Sequence, residues 1–170
     1  TVDKARVVSN NDQNLRLDAA APGADAATRC STLPDGDRAI YACREAVRGD
    51  RENPAMHRAL AERLEALGQH RDALRSREEV SRLVPGDAMA ALELGQAQEL
   101  AGKKRDALES YERFAALLPQ EPRAHELVGW MRLELGQYAK ALTAFREASR
   151  SARGSAHAYY GAALALGSMY

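Results

Sequence analysis

Apolar residues along this chain recur at the spacing of helical turns, in stretches cut by short breaks at glycine or proline. Three breaks carry Gly after Leu or Ala, at Leu67-Gly68, Ala101-Gly102 and Leu135-Gly136, and these glycines stand 34 residues apart, twice over. The same period aligns Ala39, Ala73, Ala107 and Ala141, each followed by Ile or Leu. A second small-residue series falls at Ala61, Gly95, Gly129 and Ala163, and Pro85 and Pro119 keep step with it. Small residues at two fixed offsets mark an internal repeat, a signal that takes precedence over every other.

Each repeat predicts two helices. In the unit 54–87, Asn53 suits an N-cap, Pro54 fits the first turn, and Gly68 ends the helix that reaches Leu67. A second helix starts near Arg71 and stops at Val84-Pro85, where proline cannot continue it. Asp87 caps the unit 88–121, the unit 122–155 again opens with proline, and Ser155 caps a helix that follows. The two small-residue series predict close backbone approach within each pair: Ala61 against Ala73, Gly95 against Ala107, Gly129 against Ala141.

Composition narrows the function classes. The 170 residues include 34 Ala and 20 Leu but only nine aromatics, which suits closely packed helices far better than a β-sandwich. The 24 Lys+Arg balance 24 Asp+Glu, so the chain lacks the global field that nucleic acid or an anionic membrane would require. Its longest apolar run, about Tyr159 to Leu166, is far short of the ~18 residues of a membrane span. Arg outnumbers Lys by 20 to 4, which with the alanine excess points to a GC-rich bacterial gene.

The third unit carries the pattern best, with His125-x-x-Val128-Gly129, Gly136-Gln137-Tyr138, Ala141-Leu142 and Phe145-x-x-Ala148. Over about residues 36–170 the sequence resembles a tetratricopeptide repeat (TPR) array. That resemblance implies an all-α fold, a right-handed superhelical α-solenoid of helix-turn-helix repeats. There are departures: His57, Ala91, His125 and Tyr159 stand where the family usually has Trp, and Arg77 replaces an aromatic. The expected organisation is a polar N-terminal tail at 1–29, a degenerate first repeat at 30–53, three complete units at 54–155, and the first helix of a further unit, or a cap, at 156–170. A solenoid end should turn a polar face outward. The last segment carries Tyr159, Tyr160, Leu164 and Leu166 instead, which predicts either more chain beyond Tyr170 or a second protein on that apolar edge.

Candidate chemistry is sparse. The four histidines form no i, i+4 pair, and no Cys or Glu completes a metal-ligand spacing, so packing or surface roles are expected and no metal. Nucleophile-elbow, phosphate-loop and dinucleotide motifs are absent, so neither an enzyme nor a cofactor is expected. Lys103-Lys104-Arg105 is a basic run confined to a turn, too short to indicate nucleic acid. Cys30 and Cys43 are too far apart for a redox motif. Two readings stay open for them: a bridge that ties the degenerate first helix to Asp37–Arg48, or free buried thiols. A bridge argues for an envelope or secreted location.

In TPR arrays the first helices line a concave groove. The resemblance therefore implies a partner-binding groove at Arg58, Glu62, Met89, Leu92, Gln96, Arg123, Glu126, Trp130, Leu133 and Tyr160. Trp130 has two readings, an anchor for a peptide segment or a side chain packed on a neighbouring helix. The clamp for acidic chaperone tails is missing, because its positions here hold Arg58, Glu62, Glu93, Arg123 and Leu127. The expected function is a non-enzymatic protein–protein interaction scaffold. Thr1 in place of methionine, the polar tail and the cysteine pair make it similar to bacterial TPR lipoproteins of the pilotin and tight-adherence pilus type. The expected location is then the periplasm or the outer membrane, with no transmembrane segment and a lipid anchor upstream of Thr1. A cytosolic TPR adaptor or co-chaperone, and a regulatory segment of a larger enzyme, are the alternatives.

Overall fold

A computed structural model describes residues 25–151 and 155–169. Residues 1–24 of the expected tail, and Tyr170, lie outside them. Among the described residues there are nine α-helices and no strand: α1 (Ala26–Thr32), α2 (Asp37–Gly49), α3 (Pro54–Ala66), α4 (His70–Leu83), α5 (Ala88–Leu100), α6 (Lys104–Leu117), α7 (Pro122–Glu134), α8 (Tyr138–Ser151) and α9 (Ala156–Gly167). The chain is all-α, built of helix-turn-helix pairs in two compact units divided at Leu83. Helix α1 begins at Ala26, so residues 26–29, expected in the tail, form its first turn.

The helix ends repeat with the sequence period. Asn53, Asp87, Glu121 and Ser155 each accept a hydrogen bond from a backbone N–H in the first turn of α3, α5, α7 and α9. These bonds satisfy donors that a helix start leaves orphaned. At the other end, Gly68, Gly102 and Gly136 adopt φ of 69°, 74° and 72°. Each donates to the carbonyl three residues back, and the next residue donates to the carbonyl five back, as Gln69 does to Leu64 at 2.8 Å. This Schellman geometry needs a left-handed residue, which glycine supplies without Cβ strain. Cap, glycine and turn together fix the repeat length.

In the first unit, a short helix is held from three sides. Asp25 caps the start of α1, with the Thr28 N–H at 2.7 Å. Arg63 of α3 reaches the Cys30 and Ser31 carbonyls at its end, at 3.4 and 3.3 Å, and pairs with Asp35 in the following turn. Cys30 and Cys43 form a disulfide that ties α1 to α2, inside a core of Ile40, Ala46, Leu60, Leu64 and Ala73. A seven-residue helix has little stability alone. The bridge and Arg63 supply what its length cannot.

In the second unit, α5–α6, α7–α8, α6–α7 and α8–α9 pack in sequence. Its core runs from Ala91, Ala107 and Tyr111 through Phe114, Ala124, Val128 and Met131, with a second cluster around Ala141, Leu142, Phe145 and Ala165. Beside the small residues, the helix glycines meet rings of the second helix. A Cβ built on Gly95 would meet the Tyr111 ring at 2.5 Å, and one on Gly129 would meet the Phe145 ring at 2.7 Å. The glycines make room for a ring one turn beyond Ala107 and Ala141. Gly161 also lies against the Phe145 ring, with its own Cβ position 2.4 Å away. Ala163, the fourth member of the small series, is exposed.

Gly129→Leu should therefore lower stability by about 1–3 kcal/mol through overpacking against Phe145. Gly49→Ala, at a site with nothing within 4 Å, is the control and should stay within about 0.5 kcal/mol of the parent. Thermal melts of the two variants decide it; an unchanged midpoint for Gly129→Leu would refute the ring contact.

Candidate protein-binding surface

Three positions of each pair decide which side chains remain for a ligand. In the second unit Tyr111 lies over Gly95, and its hydroxyl donates to Glu99 at 2.6 Å. One repeat later Phe145 lies over Gly129 and packs with Leu133. In the first unit the same positions hold Ala61, Glu65 and Arg77, and Arg77 donates to both Glu65 oxygens at 3.0 and 2.9 Å. Arg77 is 6% exposed. Its charge is tolerable there because a bidentate carboxylate meets it. Leu133 is thus half-buried against the second helix of its own pair, not part of an open groove. Leu92 is also corrected: at 4% exposure it belongs to the core cluster with Ala107 and Leu108.

The remaining candidates divide between the two units. Arg58 is half-buried and Glu62 exposed on α3 of the first unit. In the second unit Met89 and Gln96 on α5, Arg123 on α7 and Tyr160 on α9 are exposed. Glu126 is half-buried and accepts the Ser155 hydroxyl, so it helps fix the start of α9. Trp130 meets Phe145 edge-on, with centroids 5.1 Å apart and planes at 74°, and meets Tyr160 at 6.2 Å. Trp130 is half-buried and packs on the neighbouring helix, as one of its two readings expected. It is packed on α8 and forms the base on which Tyr160, 62% exposed, stands out. Together with Tyr159, 60% exposed on α9, this is the aromatic surface that the first helices offer among the described residues. Aromatic pairs of this kind add about 0.5–1.5 kcal/mol beyond area burial.

Sequence reasoning missed two features. His57 and His125 each place Nε2 on a backbone carbonyl six residues earlier, Arg51 at 2.9 Å and Pro119 at 2.8 Å. A carbonyl only accepts, so Nε2 carries the proton and each ring braces the turn that enters its repeat. Their shared repeat offset was visible; the loop partner was not. The other is a cavity of about 420 Å³ in the first unit, lined by Val47, Arg48, Arg51, Glu52, His57, Glu79 and Arg82. Arg82 pairs there with Glu79 at 2.8 Å, and arginines alternate with glutamates, so the cavity has no single sign of charge. Among the described residues no group of three or more His, Cys, Asp or Glu could hold a metal ion, and no helix is long and apolar enough to cross a membrane.

Burial, followed by the hydrogen bond to Glu99, pushes the Tyr111 hydroxyl well above its ordinary range. A raised folded-state value means that the stabilisation is present below the unfolded value of about 10 and is lost as pH rises past it. Titration followed at 295 nm should show one tyrosinate that appears only together with loss of helical signal. Tyr111→Phe should abolish that component. Ionisation of Tyr111 ahead of unfolding would contradict the buried, donating hydroxyl.

Comparison with known proteins agrees with this architecture. The tetratricopeptide repeat family profile matches residues 58–122, 101–156 and 129–166. Among solved structures, MamA is similar with a TM-score of 0.70 and 25% identity, over 78% of this chain and 78% of that one. YrrB, described as a TPR protein with an unusual peptide-binding site, gives a TM-score of 0.69 at 18% identity, over 77% of this chain and 68% of its own. A tetratricopeptide repeat protein from Parabacteroides merdae gives 0.70 at 18% identity, over 78% and 53%. No curated protein matches significantly. The repeat period, the capped helix pairs and the matched profile lead to one conclusion: the chain belongs to the tetratricopeptide repeat family.

Proposed function

We propose that this protein is a non-enzymatic scaffold that holds a segment of another protein against its first helices, as an assembly factor of a bacterial envelope machine of the pilus or secretion type. The observation that carries the binding reading is the Trp130–Tyr160 pair. A half-buried Trp held by Phe145 supports a Tyr left largely exposed, and Tyr and Trp are the residues most enriched in binding hot spots. Exposed Met89, Gln96 and Arg123 on the same class of helix add an adaptable apolar contact, an amide and a charge. A zero net charge suits such a surface, since selectivity then comes from a few side chains and not from long-range attraction.

The location rests on the Cys30–Cys43 bridge, because structural disulfides persist in oxidising compartments and are rare in the cytosol. The pilus or secretion assignment, and the lipid anchor upstream, rest on the combination of TPR helices with a bridged first repeat. That is an analogy of architecture.

The binding reading is tested by placing a photo-crosslinking residue at Tyr160 or at Glu62 in the native host. A partner should be captured from Tyr160, and Trp130→Ala should weaken its binding by ~2 kcal/mol, about thirtyfold. The same substitution should also lower the melting temperature, since Trp130 packs on Phe145. Equal binding by the parent and by Tyr160→Ala would overturn the assignment.

Thiol labelling of protein taken from its host tests the location. Cys30 and Cys43 should label only after reduction, and replacing both by serine should destabilise the first unit by about 3 kcal/mol. Free thiols in the native protein would favour a cytosolic adaptor.

A further inference from the structure

We propose that the cavity at the turn between α2 and α3 is a binding site for a small carboxylate ligand, held by Arg48 and Arg51. The cavity, of about 420 Å³, is lined wholly by residues of the first unit. Small-molecule sites run from about 300 to 1,000 Å³, so it suits a small ligand. Its charged residues are not all equivalent. Arg82 is claimed by the glutamates: it donates to Glu79 at 2.8 Å, and Glu52 acts on it electrostatically. Arg48 and Arg51 are exposed, and no hydrogen bond or ion pair joins either side chain to another described residue. Two guanidinium groups are thus left over at the cavity.

The repeat shows that the fold does not require them. Two periods on, in the second unit, the turn between α6 and α7 is built in the same way. His125 donates to the Pro119 carbonyl as His57 does to that of Arg51. The Asn53 and Glu121 N–H groups each donate to the carbonyl three residues back, at Asp50 and Leu118. Those two residues share a backbone conformation, φ −141° and ψ 90° at Asp50, φ −129° and ψ 71° at Leu118. Arg150 pairs with Glu147 as Arg82 does with Glu79. What differs is the lining: Ala115, Ala116, Pro119 and Gln120 stand in place of Val47, Arg48, Arg51 and Glu52. Pro85 holds the Arg51 position in the repeat between. Proline pre-sets φ and reduces the freedom of the unfolded chain, so arginine at this turn gives up a local advantage. The frame stands without charge two repeats on, and Arg48 and Arg51 are free for a ligand.

A guanidinium presents paired donors in a planar fork that matches a carboxylate. A phosphate matches the fork too, but Glu52 and Glu79 line the same cavity and oppose a second negative charge. A carboxylate whose remainder is neutral or cationic satisfies the arginines without opposing the glutamates. Val47, half-buried, and the His57 ring supply apolar surface for a short side chain. A free amino acid or small peptide has this chemistry, and so does the C-terminal end of a protein.

The site is tested by NMR titration of the full chain with dialanine. Binding should saturate with a Kd on the order of 1 mM, shift the amide signals of Arg48 and Arg51, and weaken severalfold when salt is raised to about 0.5 M. Arg48→Ala and Arg51→Pro, which install the residues found at Ala116 and Pro119, should each weaken binding about fivefold with an unchanged melting temperature. If proline disturbs the turn, Arg51→Gln should give the same loss. Tyr160→Ala should leave the titration unchanged, which separates this site from the partner-binding reading. The amide of dialanine should not bind. A longer peptide with the same end that binds more tightly would identify a protein terminus as the source of the carboxylate, and one that binds no better would identify a free small molecule. Failure of dialanine to saturate, equal binding by the double arginine variant, or binding of the amide would overturn the proposal. So would tighter binding of inorganic phosphate, or a loss of stability in Arg48→Ala, which would assign that arginine to the fold.

Discussion

The structure depends on one packing match, between a large side chain on the second helix of each pair and the gap left for it on the first. Where the second helix carries a ring, at Tyr111 and Phe145, the first helix has glycine, because a Cβ would sit 2.5–2.7 Å from ring carbons. Where it carries Arg77, the first helix has Ala61. A third position follows the chemistry of the inserted group: Glu65 meets the guanidinium, Glu99 meets the phenol, and Leu133 packs with the plain ring. Each triad is internally satisfied, and no two are alike. Repeats of one shape are thus filled by different chemistry, with the polar groups of the Arg77 and Tyr111 triads paired.

That match also determines what can act as a binding surface. Because the large side chains of the second helices point onto the first, positions that would otherwise line a groove are consumed in pairing. Glu65, Glu99 and Leu133 are lost to a ligand in this way. What stays outward on the second unit's first helices is a short set, and its aromatic part is anchored by the same ring that fills Gly129: Phe145 supports Trp130, which supports Tyr160. The helix that carries Tyr160 is itself positioned by Gly161 against Phe145 and by Ser155 at its cap. Core packing and surface presentation are therefore one construction.

Much of the fold was legible in the sequence because the repeat writes local signals at fixed intervals. Asn53, Asp87 and Ser155 as caps, and Gly68, Gly102 and Gly136 as stops, needed only local chemistry to be recognised. Glu121 was not, since a glutamate is a weaker cap signal than Asp or Ser. The ring that lies on each helix glycine was not foreseen: two aligned series of small residues pointed only to close backbone approach, and the aromatic stands a turn beyond the second series. Leu92 was assigned to the groove by family offset alone, and offset does not record how far a helix is rotated toward its neighbours. The cysteine pair stayed ambiguous because spacing cannot show that α1 lies on α2; the Arg29–Glu45 ion pair, which also joins them, gives no motif.

The packing match is tested most directly by converting the first triad into the chemistry of the third. Stability would be measured by chemical denaturation for Ala61→Gly in the natural chain and again in the Arg77→Phe, Glu65→Leu background. The account predicts opposite signs. In the natural chain the change should destabilise, by about 1 kcal/mol or more for glycine in a helix interior. In the substituted background it should stabilise, because it opens the space the ring requires, with a coupling of about 1–3 kcal/mol between the sites. Equal destabilisation in both backgrounds would contradict the account.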